Sequence, residues 1–419
     1  MRRDILQFFN NFLLGRRRGD RFGTKAIPKL RSGKDLTVEV KLSTAVDLSA
    51  ARNLDAEVRQ LFQDLGLTEK ITIDWEKEIT VNVADPTLDE WKELYIAAEE
   101  FRNLQPWTWM SDADLFGVQD PRSREVGYCC VLGALGEVFA LSVYRGAEGL
   151  AGYRNMQAWR IGREIEDLPF TQKCLMASFE DRERLQKEDR DIIKKLGLKF
   201  RGRDSWPLFR SHLPGYFPWY VTRDEALFLT ATLRQAATVA RRFNENDDLL
   251  DPPEEDLVFT RIPAAEGEIE SWRDDWVRPE PFERDAPEFS PVETPRLDRI
   301  LRNCTPNRTT LEVDFFFFPA PVREGGRPFF PMMFLVMDHE KGVGLDTWLV
   351  PPWEFFAICR ERFLDFLERA QALPRRILVC RKDAAAMLEP IAAALHVKVR
   401  LVKTLGQVRA FRNAMASRF

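Results

Sequence analysis

From Thr310 to Phe419 the residue pattern switches repeatedly between strand and helix periodicity, in the order strand, strand, strand, helix, strand, helix, strand, helix. Thr310–Phe318 (TLEVDFFFF) is β-branched and aromatic and stops at Pro319 and Pro321, as a strand should. Gly325, Gly326, Pro328 and Pro331 mark a turn region. Met332–Met337 is then an unbroken apolar run, which fits a strand buried on both faces or, by length alone, a piece of buried helix. His339-Glu340-Lys341-Gly342 supplies a hairpin that returns the chain through Leu345–Val350. After Pro351-Pro352 the period changes: Phe355, Phe356, Cys359, Phe363, Phe366 and Leu367 fall on one helical stripe. Ile377–Cys380 and Val397–Val402 predict two more strands, separated by a helix over Ala384–Leu395 that Pro390 bends. A last helix runs over Leu405–Phe419. Such strand-helix-strand connections favour parallel pairing with right-handed crossovers. The expected fold is α/β: a mixed five-stranded sheet, its first three strands antiparallel and the later ones parallel to the first, with helices on both faces.

At 419 residues the chain is too long for one ordinary core, and two or three domains are expected. Hydrophobic residues at 45% rule out global disorder. A net charge of −4 argues against bulk attraction to nucleic acid, but the average hides an asymmetry. From Pro374 onward, Arg375, Arg376, Arg381, Lys382, Lys398, Arg400, Lys403, Arg409, Arg412 and Arg418 are opposed by Asp383 and Glu389 alone. The six cysteines have no paired metal-ligand spacing, and Cys129-Cys130 lie within an apolar strand. Reduced, buried thiols in a cytoplasmic protein are the plain reading.

The chain divides into four stretches. Residues 1–35 read as a basic extension, either without fixed structure or a basic amphipathic helix for an anionic membrane surface; Asn10-Asn11 interrupts its apolar run, which lacks a small-residue cleavage site. Residues 36–278 read as an α+β module, opening on a small α/β element over Leu36–Val83. Residues 279–306, rich in proline and acid, read as a linker. Residues 307–419 form the second domain. No stretch has the length needed to span a bilayer. Within the first module, Trp107 to Pro121 reads as rich in turns (Asp112, Asp114, Gly117, Asp120-Pro121). Val126–Leu132 and Glu137–Tyr144 read as a hairpin, Asp181–Leu196 as a charged helix, and Leu257–Ile262 with Glu268–Val277 as two strands. The glycines at 133, 136, 146, 149 and 152 match no phosphate-binding fingerprint and suit turns. His212, His339 and His396 are scattered, without metal-ligand spacing.

Two resemblances add to this. The phrases DLFGVQDP, VLGALGEVFALSVYRG and GLKFRGR…WPLFRS…PGYFPW, with the Glu312-Val313-Asp314 strand and the Phe334–Gly344 segment, resemble an uncharacterised two-module family of bacterial proteins. That family implies no activity. Separately, the element order of residues 307–419 resembles the ribonuclease-H-like, integrase-type core, in which strand ends gather acids around divalent metal. The resemblance implies a first acid at Asp314 and a second near Asp383. It implies a third in the last helix, which contains no acid.

Those positions define the candidate residues. A metal-dependent nuclease, or another phosphoryl-transfer enzyme using Mg or Mn, needs converging carboxylates, and Asp314 with Asp338 or Asp383 are the candidates. Asp338 also reads as a hairpin residue and Asp383 as a helix cap. Arg201, Arg203, Trp206, Arg210, His212 and Tyr216 interleave arginines with aromatics, a pattern that holds phosphates while stacking planar groups. The plainer reading is a proline-rigidified loop whose rings pack on the core while its arginines pair with local acids. Lys398 and Arg400 share a strand face, and Arg409 and Arg412 a helix face, so together they offer a basic surface. The expected function is a non-catalytic binding or scaffold protein for a partner protein or nucleic acid, without a cofactor; the alternative is the metal-dependent enzyme.

Overall fold

The computed structural model describes residues 84–419 apart from 161–166, 168–169, 265–270, 284–288, 290–293, 325 and 417–419. The expected basic extension and the α/β element over 36–83 lie outside the described residues. The first module opens with α1 (Leu88–Leu104). Its start is set by a capping box: the Thr87 hydroxyl accepts the Glu90 N–H, and the Glu90 carboxylate accepts the Thr87 N–H at 2.8 Å. Next come β1 (Phe116–Gln119), β2 (Val126–Leu132), β3 (Phe139–Arg145), α2 (Gly146–Arg160), β4 (Cys174–Glu180), α3 (Lys187–Lys195) and β5 (Trp206–His212). They are followed by α4 (Arg223–Glu245), β6 (Val258–Pro263) and β7 (Trp272–Val277). The seven strands form one sheet in the order β5-β4-β3-β2-β1-β6-β7, antiparallel throughout except at the parallel β1–β6 pair. Helices α1 and α4 cover one face over Leu94, Phe101, Phe116, Leu141 and Leu233. Helix α2 covers the other over Tyr128, Tyr144 and Leu150.

Three sequence expectations change here. Residues 116–119 form a strand near the middle of the sheet instead of a turn. Gly117 serves close approach, since a Cβ there would lie 2.5 Å from Thr260 Oγ1 on the neighbouring strand β6. Trp206–His212 is a strand instead of a loop; Pro207 is tolerated because β5 is the sheet edge. The charged helix over 181–196 is broken into a 3₁₀ turn (Arg182–Arg184) and α3. The vicinal cysteines divide between the faces: Cys129 joins the α1/α4 core and Cys130 the α2 core.

The second module runs α5 (Thr294–Asn303), β8 (Thr305–Pro306), β9 (Thr310–Phe317), β10 (Met332–Asp338), β11 (Gly344–Val350), α6 (Phe355–Ala370), β12 (Ala372–Leu373) and β13 (Arg376–Val379). It ends with α7 (Lys382–Ala394), β14 (Lys398–Leu401) and α8 (Gly406–Ala416). Helix α5 was expected to be linker. It is amphipathic, Pro295 lies in its first turn where a missing N–H is harmless, and Arg296 binds Glu361 (2.6 Å) and Glu368 (3.1 Å) of α6. The sheet order is β11-β10-β9-β13-β14, with β9, β10 and β11 antiparallel and β13 and β14 parallel to β9. This is the ribonuclease-H-like arrangement expected from the sequence. Helices α5, α6 and α7 bury Leu311, Val313 and Phe315 on one face, and α8 buries Phe316, Leu335 and Met337 on the other.

Both sheets lie in one compact unit beginning at Ala84, and they meet along the segment that follows β5. The Phe217 N–H donates to the Pro328 carbonyl (2.9 Å), and the Phe330 N–H to the Gly215 carbonyl (2.8 Å). Gly215 is needed twice over. Its φ is +78°, and a Cβ would lie 3.2 Å from Pro352 Cγ. Around it, Tyr216 stacks on Trp353, and Phe170 packs on Phe317 and Phe330.

Candidate functional site: the acids of β9 and the arginines around them

Side chains alternate along β9, so Glu312 and Asp314 both face α8 while Leu311, Val313 and Phe315 face α6 and α7. Both acids are buried, at 0% and 1% exposure, and each has a defined counterpart. Glu312 accepts the backbone N–H groups of Gln407 (2.9 Å) and Val408 (3.0 Å) in the first turn of α8. Four such groups lack intrahelical partners, and the positive end of the helix favours an anion there. The other Glu312 oxygen lies 2.6 Å from His339 Nδ1. Glu312 therefore anchors the last helix.

Asp314 is met by Arg381, whose Nε donates to Oδ1 at 3.1 Å. Arg381 is the second of the two residues between β13 and α7, where a ribonuclease-H-like domain is expected to carry its second acid. Its guanidinium also lies over the Phe315 ring, 5.4 Å from the centroid. Its Nη2 donates to Oδ2 of Asp167 (2.8 Å), and Arg412 of α8 reaches Oδ1 of the same carboxylate at 3.5 Å. Arg412 itself lies 4.6 Å above the Phe316 ring. Asp167 comes from the connection between α2 and β4 of the first module and holds a left-handed φ of 60°. Two arginines of the second module thus converge on one carboxylate of the first.

The other two candidate acids do not join this cluster. Asp338 pairs across the ladder with Leu311, and Asp314 with Leu335, which places the two carboxylates on opposite faces of the sheet. Asp338 closes its hairpin by accepting the N–H groups of Glu340 (3.1 Å) and Lys341 (2.9 Å). Asp383 lies inside the first turn of α7 and is not its cap; Arg381 holds the N-cap position, and an Asp383 oxygen accepts the Ala384 N–H. Among the described residues no group of three or more His, Cys, Asp or Glu side chains is placed to hold a metal ion. Asp314, Asp338 and Asp383 do not fit a Mg or Mn site.

The residues singled out between 201 and 216 are largely engaged within the protein. Arg210 makes a two-pronged pair with Asp189 (2.9 and 2.7 Å) and lies over the Tyr220 ring. Trp206 packs against the α1/α4 core and edge-on to Phe200. Tyr216 stacks on Trp353 of the second module, with Arg327 over its ring. His212 is held neutral, its pKa pulled down to about 4 by burial and then by the charges of Arg327 and Arg210. Arg201 and Arg203 are exposed. Arg327 was not evident in the sequence as a site residue. It donates to the Phe217 carbonyl (3.0 Å) and to the Ser211 carbonyl, and burial lowers its pKa to about 10.

At the C-terminal end the basic residues separate. Lys398 and Arg400 are exposed on the outermost strand, and Arg409 is exposed on α8. Arg412 turns inward to Asp167 and Phe316, so the four do not act as one solvated patch. Of the cysteines, Cys129, Cys130, Cys174, Cys304 and Cys359 are buried, and burial pushes the Cys130 and Cys174 thiols up to about 12. Among the described residues no helix is long and apolar enough to cross a membrane.

Comparison with known proteins agrees with two modules of unassigned activity. Residues 91–261 match the family model described as "Domain of unknown function (DUF7309)". Residues 296–416 match the one described as "Domain of unknown function (DUF6930)". The chain is thus a two-module protein of the uncharacterised kind that its sequence phrases resemble. No curated protein matches the chain. Among solved structures, the crystal structure of the Mos1 strand transfer complex aligns with 64% of this chain and 78% of its own at 12% identity. The TM-score of 0.19 is too low for that overlap to bear on fold or function.

Proposed function

We propose that this is a non-catalytic binding protein whose ribonuclease-H-like sheet serves as a platform for a partner protein or a nucleic acid. One observation carries the reading: the guanidinium of Arg381 stands against Asp314 at the strand end where metal-binding acids would be needed. Two-metal phosphoryl transfer requires several carboxylates to converge, because adjacent divalent cations must be neutralised and fixed. A guanidinium in that place compensates Asp314 and repels a cation. Asp167 reinforces the arrangement by bringing a carboxylate of the first module to the same arginine. In this reading the first module ends after β7 and the second begins with α5. The buried thiols suit a reducing compartment such as the cytoplasm.

The test is incubation of purified protein with single- and double-stranded DNA and RNA in magnesium or manganese. No cleavage is expected. Metal-dependent cleavage that Asp314→Asn abolishes would overturn the proposal.

A further inference from the structure

We propose that β14 is a docking edge for an extended acidic peptide, which adds to the second sheet as a sixth strand. The inference deepens the binding reading above by naming the class of partner. Strand β14 is the last in its sheet and pairs with β13 alone, so among the described residues its outer backbone edge faces no strand. Such an edge is a ready template for another chain, which gains main-chain hydrogen bonds from the backbone and selectivity from the flanking side chains.

Those side chains are basic. Lys398 and Arg400 are two apart on one face, and Lys403 follows the strand; all three are exposed. None of them has an ion pair among the described residues, although carboxylates engage Arg296, Arg369 and Arg381 of the same module. Leu401, 52% exposed, adds an apolar contact on the opposite face. An extended chain with acids at alternate positions would set its carboxylates beside Lys398 and Arg400, and an apolar side chain beside Leu401.

Single-stranded nucleic acid fits less well. Such ligands are held by basic grooves in which aromatic rings stack the bases. Residues 374–410 contain no Phe, Tyr or Trp. Phe411 is packed against the core under α8. The arginine-aromatic pattern that would suit bases lies instead at the junction of the two sheets, where Tyr216 and Arg210 are already engaged. Basic residues on an edge strand also protect against aggregation, and that role alone predicts no ligand.

The full chain is titrated with a fluorescently labelled peptide of alternating glutamate and valine, at low and moderate salt. Controls are the lysine-valine counterpart and labelled oligothymidylate. The proposal expects the acidic peptide to bind, to weaken as salt rises, and to bind roughly tenfold more weakly to the Lys398→Glu/Arg400→Glu variant. A second variant, Leu401→Glu, is expected to weaken the same peptide while leaving the circular dichroism spectrum unchanged. Absence of binding at low salt, equal binding to the charge-reversal variant, or tighter binding of oligothymidylate would overturn the peptide edge. None of those outcomes involves cleavage, so the non-catalytic reading fails or stands separately.

Discussion

Arg210, Arg327, Arg381 and Arg412 lie around the meeting of the two sheets, each held against a carboxylate, a carbonyl or an aromatic face. Lys398, Arg400 and Lys403, on and just after the edge strand of the second sheet, stand in solvent without an ion pair among the described residues. The first group is structural cement: each guanidinium is held by a carboxylate, a carbonyl or a ring, and removing one leaves a buried partner exposed to the cost of desolvation. The second is expected to contribute little to folding, and in the proposal above it is the part that meets a ligand. In the sequence the two groups look alike, as runs of basic residues near strands. Burial and the remote acids Asp189 and Asp167 separate them.

The largest effect expected from this contrast is at Arg381. Its loss in Arg381→Ala removes the guanidinium that joins Asp314 and Asp167, both nearly buried. A destabilisation of about 3 kcal/mol is expected in urea unfolding. A loss below about 1 kcal/mol would mean that the junction does not depend on this pair.

A smaller, pH-dependent effect is expected at His212. Its pKa falls from an ordinary 6.5 to about 4 in the folded protein, because burial and two neighbouring arginines disfavour the imidazolium. Between those values the unfolded chain binds a proton that the folded one refuses, so stability rises with pH across the window and is lost on acidification. The contribution is on the order of 2 kcal/mol between pH 6.5 and 4. His212→Gln is expected to flatten that part of the stability-pH curve; identical curves for variant and parent would refute the assignment.

The smallest effect is expected at the exposed edge. Lys398→Ala/Arg400→Ala should change stability by less than about 0.5 kcal/mol, as surface substitutions do. A thermal melt showing a loss comparable to that of Arg381→Ala would erase the distinction between the two groups.

How much of this was legible in the sequence differs between the modules. In the second, Thr310–Phe317 reads as a strand because it is β-branched and aromatic around its two acids, and Met332–Met337 because it is an unbroken apolar run, both bounded by prolines and glycines. The stripe on α6 is equally plain. There the order of elements predicts the sheet. In the first, Phe116–Gln119 is only four residues long and flanked by Asp112, Asp114 and Asp120-Pro121, so local turn chemistry masks a strand that tertiary pairing creates. Helix α5 was hidden in the same way by Pro291 and Pro295. At the site, Asp314 was visible as an acid in a strand, and Glu312 shares its face two residues away. Arg381 carried no such signal, because its role depends on Asp167, 214 residues distant. No local pattern reports a contact of that separation.

In the binding reading, Arg381 and not a metal ion is the counter-charge of Asp314. Manganese titration of the protein, with the free ion followed by electron paramagnetic resonance, decides between the two. Wild-type protein and Asp314→Asn are expected to give the same curve, with no manganese bound at this carboxylate. Stoichiometric binding by the wild-type protein that disappears in Asp314→Asn would contradict it.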